Sequence, residues 1–195
     1  MNINELIAHR MRELRSAKGW SLDTLAERSK VSRSTISLIE RAQSSPTAAV
    51  LDRLATAMSV TVASLFERSS GNSAAPSPVS RAADQVEWAD PASGYVRRNL
   101  SPAVNAPIQL VDVHFPAGKR VTNDSAVRDS EIFQQVWMIS GTMELTVGTT
   151  RWTLEKGDCL AMKLDSPISF YNPAQMPARY LVALTTPPNS DFRRK

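Results

Sequence analysis

The chain has 195 residues, 42% of them hydrophobic and 22% charged, with a formal net charge of +4. That is an ordinary globular composition, long enough for one large domain or two small ones, and it excludes a fibrous or wholly disordered chain. A single cysteine excludes an intrachain disulfide, no basic-then-apolar leader follows Met1, and no apolar run reaches membrane-spanning length. A soluble cytoplasmic protein is expected, with only a modest pull toward polyanionic partners.

In chain order, the first segment is helical in period. Ile3, Leu6, Ile7, Met11 and Leu14 recur on one face, as do Val50, Leu51, Leu54, Ala55 and Met58. The spacing predicts five helices, roughly 3–18, 22–29, 33–41, 47–58 and 62–67, with Pro46 opening the fourth and Thr61 capping the fifth. Residues 21–41 are the most informative stretch. Ser21 and Ser32 are placed to cap two short helices by accepting from free backbone N–H groups, with a break at Lys30-Val31-Ser32 between them. In the second of these helices Ile36 and Ile39 face inward, while Arg33, Ser34 and Ser37 share the other face.

Residues 69–80 are small, polar and proline-bearing, the composition of a tether. From about Asp84 the period falls to two: Leu110–Phe115, Gln134–Ile139, Met143–Val147 and Arg151–Leu154 alternate, separated by turn residues such as Ser140-Gly141 and Lys156-Gly157-Asp158. Many short strands at this spacing indicate a β-sandwich or barrel. The expected organisation is α+β multidomain: a helical head over 1–68, a linker over 69–83 and a β body over 84–195.

The head resembles the helix-turn-helix of Cro- and phage-repressor-type (XRE) regulators. The residues that carry the likeness are Ile7, Arg10, Met11, Leu14 and Arg15, then Ser21-Leu22 with Leu25-Ala26, then Val31-Ser32-Arg33, and Ile36 with Ile39-Glu40. The resemblance makes 33–41 the recognition helix. Arg33 is then the foremost base reader, because a guanidinium donates two parallel bonds to guanine. Ser34 and Ser37 are weaker readers, and Thr35 meets a methyl group or a phosphate. Arg10, Arg41, Gln43 and Ser44 are expected on phosphates, which position the protein without specifying sequence. The family also implies a buried Arg15–Glu40 ion pair, and Trp20 is assigned to the core. Two departures stand out: Leu22 where many members have a phosphate-touching glutamine, and Lys30 where many have a turn glycine.

The body resembles the cupin fold, a double-stranded β-helix barrel. The carrying residues are Gln135–Gly141, Glu144–Gly148, Gly157–Met162, Pro167 and Asn172-Pro173. Metal-binding cupins supply three histidines and a glutamate. This chain has two histidines, His9 in the head and His114 before the first motif, and the glutamate and third-histidine positions hold Gln134 and Ile168. No metal site and no cofactor are therefore expected. Alternation points Gln134, Val136 and Met138 inward, with Met162, Ile168 and Phe170 beside them, as the wall of an effector pocket or as solid core. Phe133, Trp137 and Trp152 are assigned to packing or a dimer surface, Cys159 to a buried apolar position, and Arg97-Arg98 to a solvated face.

Together these readings imply a dimeric, sequence-specific transcriptional regulator that binds an inverted repeat in double-stranded DNA and takes a small-molecule effector in a metal-free barrel. The alternative is a cupin enzyme, an isomerase or dioxygenase, with a regulatory DNA-binding head.

Overall fold

The head is built from helices whose starts are written in single side chains. In the computed structural model, which describes residues 2–67, 77–104, 106–123 and 131–185, α1 spans Ile3–Ala17, α2 Leu22–Ser29, α3 Arg33–Glu40 and α4 Ala48–Ala57. Ser21 Oγ accepts from Thr24 N at 3.0 Å and Ser32 Oγ from Thr35 N at 3.1 Å, so both expected caps form. Lys30 takes the left-handed turn between α2 and α3 at φ 56° and ψ 26°. Without glycine that conformation costs on the order of 1 kcal/mol.

The fifth predicted helix is not an α-helix. Ala63–Phe66 is a single 3-10 turn, entered where Thr61 Oγ1 accepts from Ser64 N at 3.1 Å. Four residues are too few to propagate an α-helix, and Ala63, Leu65 and Phe66 are all buried, which holds the turn tight against its surroundings. The head among the described residues is thus four α-helices and a 3-10 turn.

Ten strands follow: β1 (Glu87–Ala89), β2 (Val96–Asn99), β3 (Ile108–Phe115), β4 (Arg120–Asn123), β5 (Phe133–Ser140), β6 (Met143–Val147), β7 (Thr150–Leu154), β8 (Cys159–Lys163), β9 (Ile168–Tyr171) and β10 (Ala178–Thr185). They form a six-stranded sheet in the order β1-β2-β3-β10-β5-β8 and a four-stranded sheet in the order β4-β9-β6-β7, all neighbours antiparallel. Alternation sends Val111, Val113, Val136, Met138, Tyr180 and Val182 from the first sheet to meet Leu145, Ile168 and Phe170 from the second.

Gly141 makes the β5–β6 turn at φ +79°. A Cβ there would lie 2.8 Å from Ala178 Cα and 2.9 Å from Pro177 O, so only glycine lets β10 start this close. Asn172, fully buried, ties the loop after β9 by donating to Phe115 O and Met176 O while accepting from Ala174 N.

Head and body share a seam. Trp88 of β1 is buried in the head's own core, its ring 5.7 Å from that of Phe66 on one side and 5.7 Å from that of Tyr95 on the other. Asp90 Oδ1 accepts from Ala48 N at 3.0 Å, placing a body carboxylate at the positive end of α4. Gln109 of β3 accepts from the Thr61 hydroxyl at 2.7 Å and donates to Glu67 at 2.5 Å. Of the expected linker, residues 69–76 lie outside the described residues; Ala82–Asp84 forms a 3-10 turn. No helix among the described residues is long and apolar enough to cross a membrane.

Candidate nucleic-acid interface and a buried cavity

The α3 helix turns Ile36, Ile39 and Glu40 inward. Glu40 meets Arg15 in the expected pair: Arg15 Nε donates to Oε1 at 2.7 Å and Nη2 to Oε2 at 2.8 Å, while Nη1 donates to Trp20 O at 2.8 Å. This two-pronged clamp fixes α3 against α1 and sets how far its other face stands out. Trp20 meets the core assignment only in part, packing against the head core from its edge. It is half-buried at the rim, held between Arg28 and Lys18, whose charged groups lie 4.6 and 5.1 Å from its ring.

The outward face of α3 carries exposed Arg33 and Ser34, half-buried Thr35 and Ser37, and Leu38, which is 39% exposed. Leu38, one turn beyond Ser34, was not singled out by sequence reasoning, although its position on the polar face is the signal. Arg33 Nε lies 3.1 Å from Asp23 Oδ1, both groups largely in solvent. Such an exposed pair contributes only ~0–1 kcal/mol, so the guanidinium is available to a competing acceptor. Ser32 Oγ gathers the Ser34 and Thr35 hydroxyls at 2.9 and 2.7 Å. Arg41 is exposed with Nε on Ser37 O, Gln43 is exposed and Ser44 half-buried on the following turn. Arg10 stands apart from this face. Its Nε donates to Ser64 O at 3.1 Å and its other nitrogens pair with Glu13 and Glu67, so the guanidinium expected on a phosphate is engaged inside the head.

Inside the body a cavity of about 110 Å³ opens between the two sheets and reaches the head. Of the six predicted pocket residues, Gln134, Ile168 and Phe170 line it. Val136 and Met138 have no exposed surface and are solid core. Met162 stands behind Gln134, its register partner, and lines a separate surface depression with Ile108 and Phe133.

The cavity's polar wall is where the sequence reading fails. Arg97 is 7% exposed instead of solvated, because its pairing with Val113 puts it on the inward phase of β2, whereas its neighbour Arg98 faces out onto Glu87. The Arg97 guanidinium lies 4.8 Å from the Phe66 ring. Burial lowers the Arg97 pKa, with Tyr95 and Tyr180 opposing, and burial raises those of Tyr95 and Tyr180. Asn123 and, from the head, Asp52 and Thr61 complete the polar lining.

At the two metal-ligand positions that the cupin resemblance implies, the cavity wall carries Gln134 and Ile168, and His114, half in solvent, sits on the outer face beside Asp112. Cys159, expected to be buried, is exposed because it falls on the outward phase of β8.

A family model described as a helix-turn-helix domain matches residues 6–65. SutR, an HTH-type transcriptional regulator of Escherichia coli (strain K12), is 41% identical over 59 residues, a stretch that is 30% of this chain and 33% of SutR. The likeness therefore spans about a third of that relative's length. A crystal structure of an HTH_3 family transcriptional regulator from Vibrio cholerae is similar along nearly the whole chain, with a TM-score of 0.73 at 18% identity, covering 95% of this chain and 98% of that one. The Cupin_2 domain of an XRE family transcriptional regulator from Enterobacter cloacae gives a TM-score of 0.44 at 17% identity, covering 48% of this chain and 98% of that domain. Residues 6–65 thus match a helix-turn-helix domain, and the chain shares the two-part α+β fold of the Vibrio cholerae structure.

Proposed function

We propose that this protein is a sequence-specific, dimeric DNA-binding transcriptional regulator whose cupin-type body holds a small-molecule effector. The observation that carries the reading is the placement of α3. Its polar face is exposed, while the seam with the body engages α4 and the 60–67 segment on other sides of the head. A helix presented this way enters the major groove, where Arg33 reads a guanine edge, Ser34 and Ser37 contact neighbouring bases, and Leu38 meets a thymine methyl. Arg41, Gln43 and Ser44 then hold phosphates.

The outer face of the six-stranded sheet supports dimerisation. Ile108 and Leu110 of β3, Phe133 and Trp137 of β5 are exposed, and the register lays them across one surface with Ala183 of β10 between the two strands and Ala161 of β8 beyond β5. A contiguous apolar face of this kind marks an interface. A two-fold axis there would repeat α3 about one DNA turn apart, roughly 34 Å, and select an inverted repeat. Selection from random duplexes tests the whole reading: an enriched inverted repeat, bound more weakly as salt rises, is the expected result. Recovery of no enriched sequence would overturn it.

A further inference from the structure

Two opposite charges are buried in the lining of the cavity between the sheets: the Asp52 carboxylate on α4 of the head and the Arg97 guanidinium on β2 of the body. Burial strips water from both, and an ion out of water is stabilised by opposite charge or by hydrogen bonds. Among the described residues no ion pair joins the two; the groups acting on Arg97 are Tyr95 and Tyr180. Yet both ions reach the Tyr95 hydroxyl. Burial raises its pKa most, Arg97 lowers it, and Asp90 and Asp52 raise it further. The same lining holds one unmet donor, Arg97 Nε, and one unmet acceptor, Asn123 Oδ1, neither with a hydrogen-bond partner among the described residues. A guest that completes this wall must therefore both accept and donate.

The lining divides by element. Asp52 and Thr61 come from the head, Arg97 from β2 and Asn123 from β4, which packs against α4. Strands β3, β9 and β10 supply Val111, Val113, Ile168, Phe170, Val182 and Leu184, broken by the Gln134 amide of β5. A lone anion here meets Asp52 and a lone cation meets Arg97, so either is opposed where a molecule carrying both charges is not. The apolar walls ask for hydrocarbon beyond those charges. A dry cavity of ~150 Å³ holds benzene, so one of about 110 Å³ suits only the shortest side chains. We propose that this cavity binds a small zwitterion, an α-amino acid with a short aliphatic side chain. Its carboxylate lies on Arg97, its ammonium on Asp52 and Asn123, and its side chain against the two sheets.

The inference deepens the reading of the body as an effector site, names the effector's chemistry and puts it at the seam. Asp52 lies one turn beyond Ala48, whose N–H the body's Asp90 already accepts from. A guest held by Asp52 and Arg97 ties α4 to β2, a second fastening between the same two halves.

The test uses the full chain and four probes of matched carbon number: L-2-aminobutyrate, butyrate, butylamine and 4-aminobutyrate. Calorimetric titration reads affinity and thermal denaturation reads the fastening. The expected result is saturable binding of L-2-aminobutyrate, about tenfold or more tighter than each of the other three, with a raised melting temperature. Asp52→Asn should remove the preference over butyrate, and Arg97→Gln the preference over butylamine. No saturable binding of L-2-aminobutyrate to the unaltered chain would overturn the proposal. So would butyrate or butylamine binding as tightly, since one of the two charges would then be idle, and so would a preference for 4-aminobutyrate, whose charges sit at opposite ends. None of these results depends on a variant folding. Saturable binding of butyrate alone keeps an effector site and sinks the zwitterion. Duplex selection run alongside separates the remaining idea: amino-acid binding without a selected operator sinks only the DNA reading.

Discussion

The two sides of the helical head are held by interactions of different range. On the α3 side, bonds are local: Ser32 caps its own helix three residues on, Arg41 returns to Ser37, and Arg33 reaches Asp23 of the preceding helix. On the seam side, contacts span about twenty to fifty residues: Phe66 with Trp88, Ala48 with Asp90, Thr61 and Glu67 with Gln109. A face made by local bonds is ready for a transient partner whatever the body does. A face made by distant ones exists only while the body is folded against it, which makes the seam the place where the two halves exchange free energy.

Breaking the seam should give the largest effect. Trp88→Ala removes a buried indole shared by the head core and the Tyr95 ring, and Trp→Ala in a core costs about 3–5 kcal/mol. Denaturant unfolding should show that loss, and the helical signal should melt ahead of the β signal. Coincident, unshifted transitions would mean that the seam holds nothing. Damage placed wholly in the body sharpens the point. Gly141→Ala combines a positive φ with overlap on Ala178 and Pro177, a strain of about 1–3 kcal/mol. Calorimetry should find the head's transition lowered along with the body's. A lowered β transition alone would show the halves to be independent.

The α3 side predicts the opposite behaviour. Arg33→Ala deletes an exposed ion pair and one base reader. Affinity for the selected operator should fall by about 1–3 kcal/mol, roughly a factor of 5 to 150, with the melting temperature unmoved. A gel-shift titration beside a melt reads both, and unchanged affinity would remove Arg33 from the readers.

This division explains which features were legible in the sequence. Caps at Ser21 and Ser32, the left-handed Lys30 and the inward phase of Gln134, Val136 and Met138 are visible within a helix, a turn or one strand, while the Arg15–Glu40 pair between α1 and α3 was legible through the family resemblance. Trp88 and Arg97 were not. β1 has three residues and β2 has four, too short a run to reveal which phase points inward. Only the pairing of Arg97 with Val113 of the longer β3 fixes it. An Arg-Arg pair in such a strand must send one guanidinium to each face, and that was the available signal. The same short-range habit put Cys159 inside, where register with outward Trp137 turns it out. It also promised an α-helix at 62–67, where packing against the body favours a tighter turn.

The smallest effect belongs to a carboxylate at the edge of the seam. Glu67 accepts from Gln109 and pairs with Arg10, yet its pKa is raised above the ordinary 4.5, because burial outweighs both attractions. A carboxyl whose folded pKa is raised binds its proton more tightly folded than unfolded. It adds stability that is complete below 4.5 and is lost as pH rises through the folded value. Glu67→Gln keeps an acceptor for Gln109 and deletes the charge. The variant should match or slightly exceed the parent's stability at neutral pH, and its stability should fall less steeply as pH rises above 4.5. Melting curves across that range decide it. A variant less stable at neutral pH would mean that the Arg10 attraction outweighs burial, and that charge holds this corner of the head to the body.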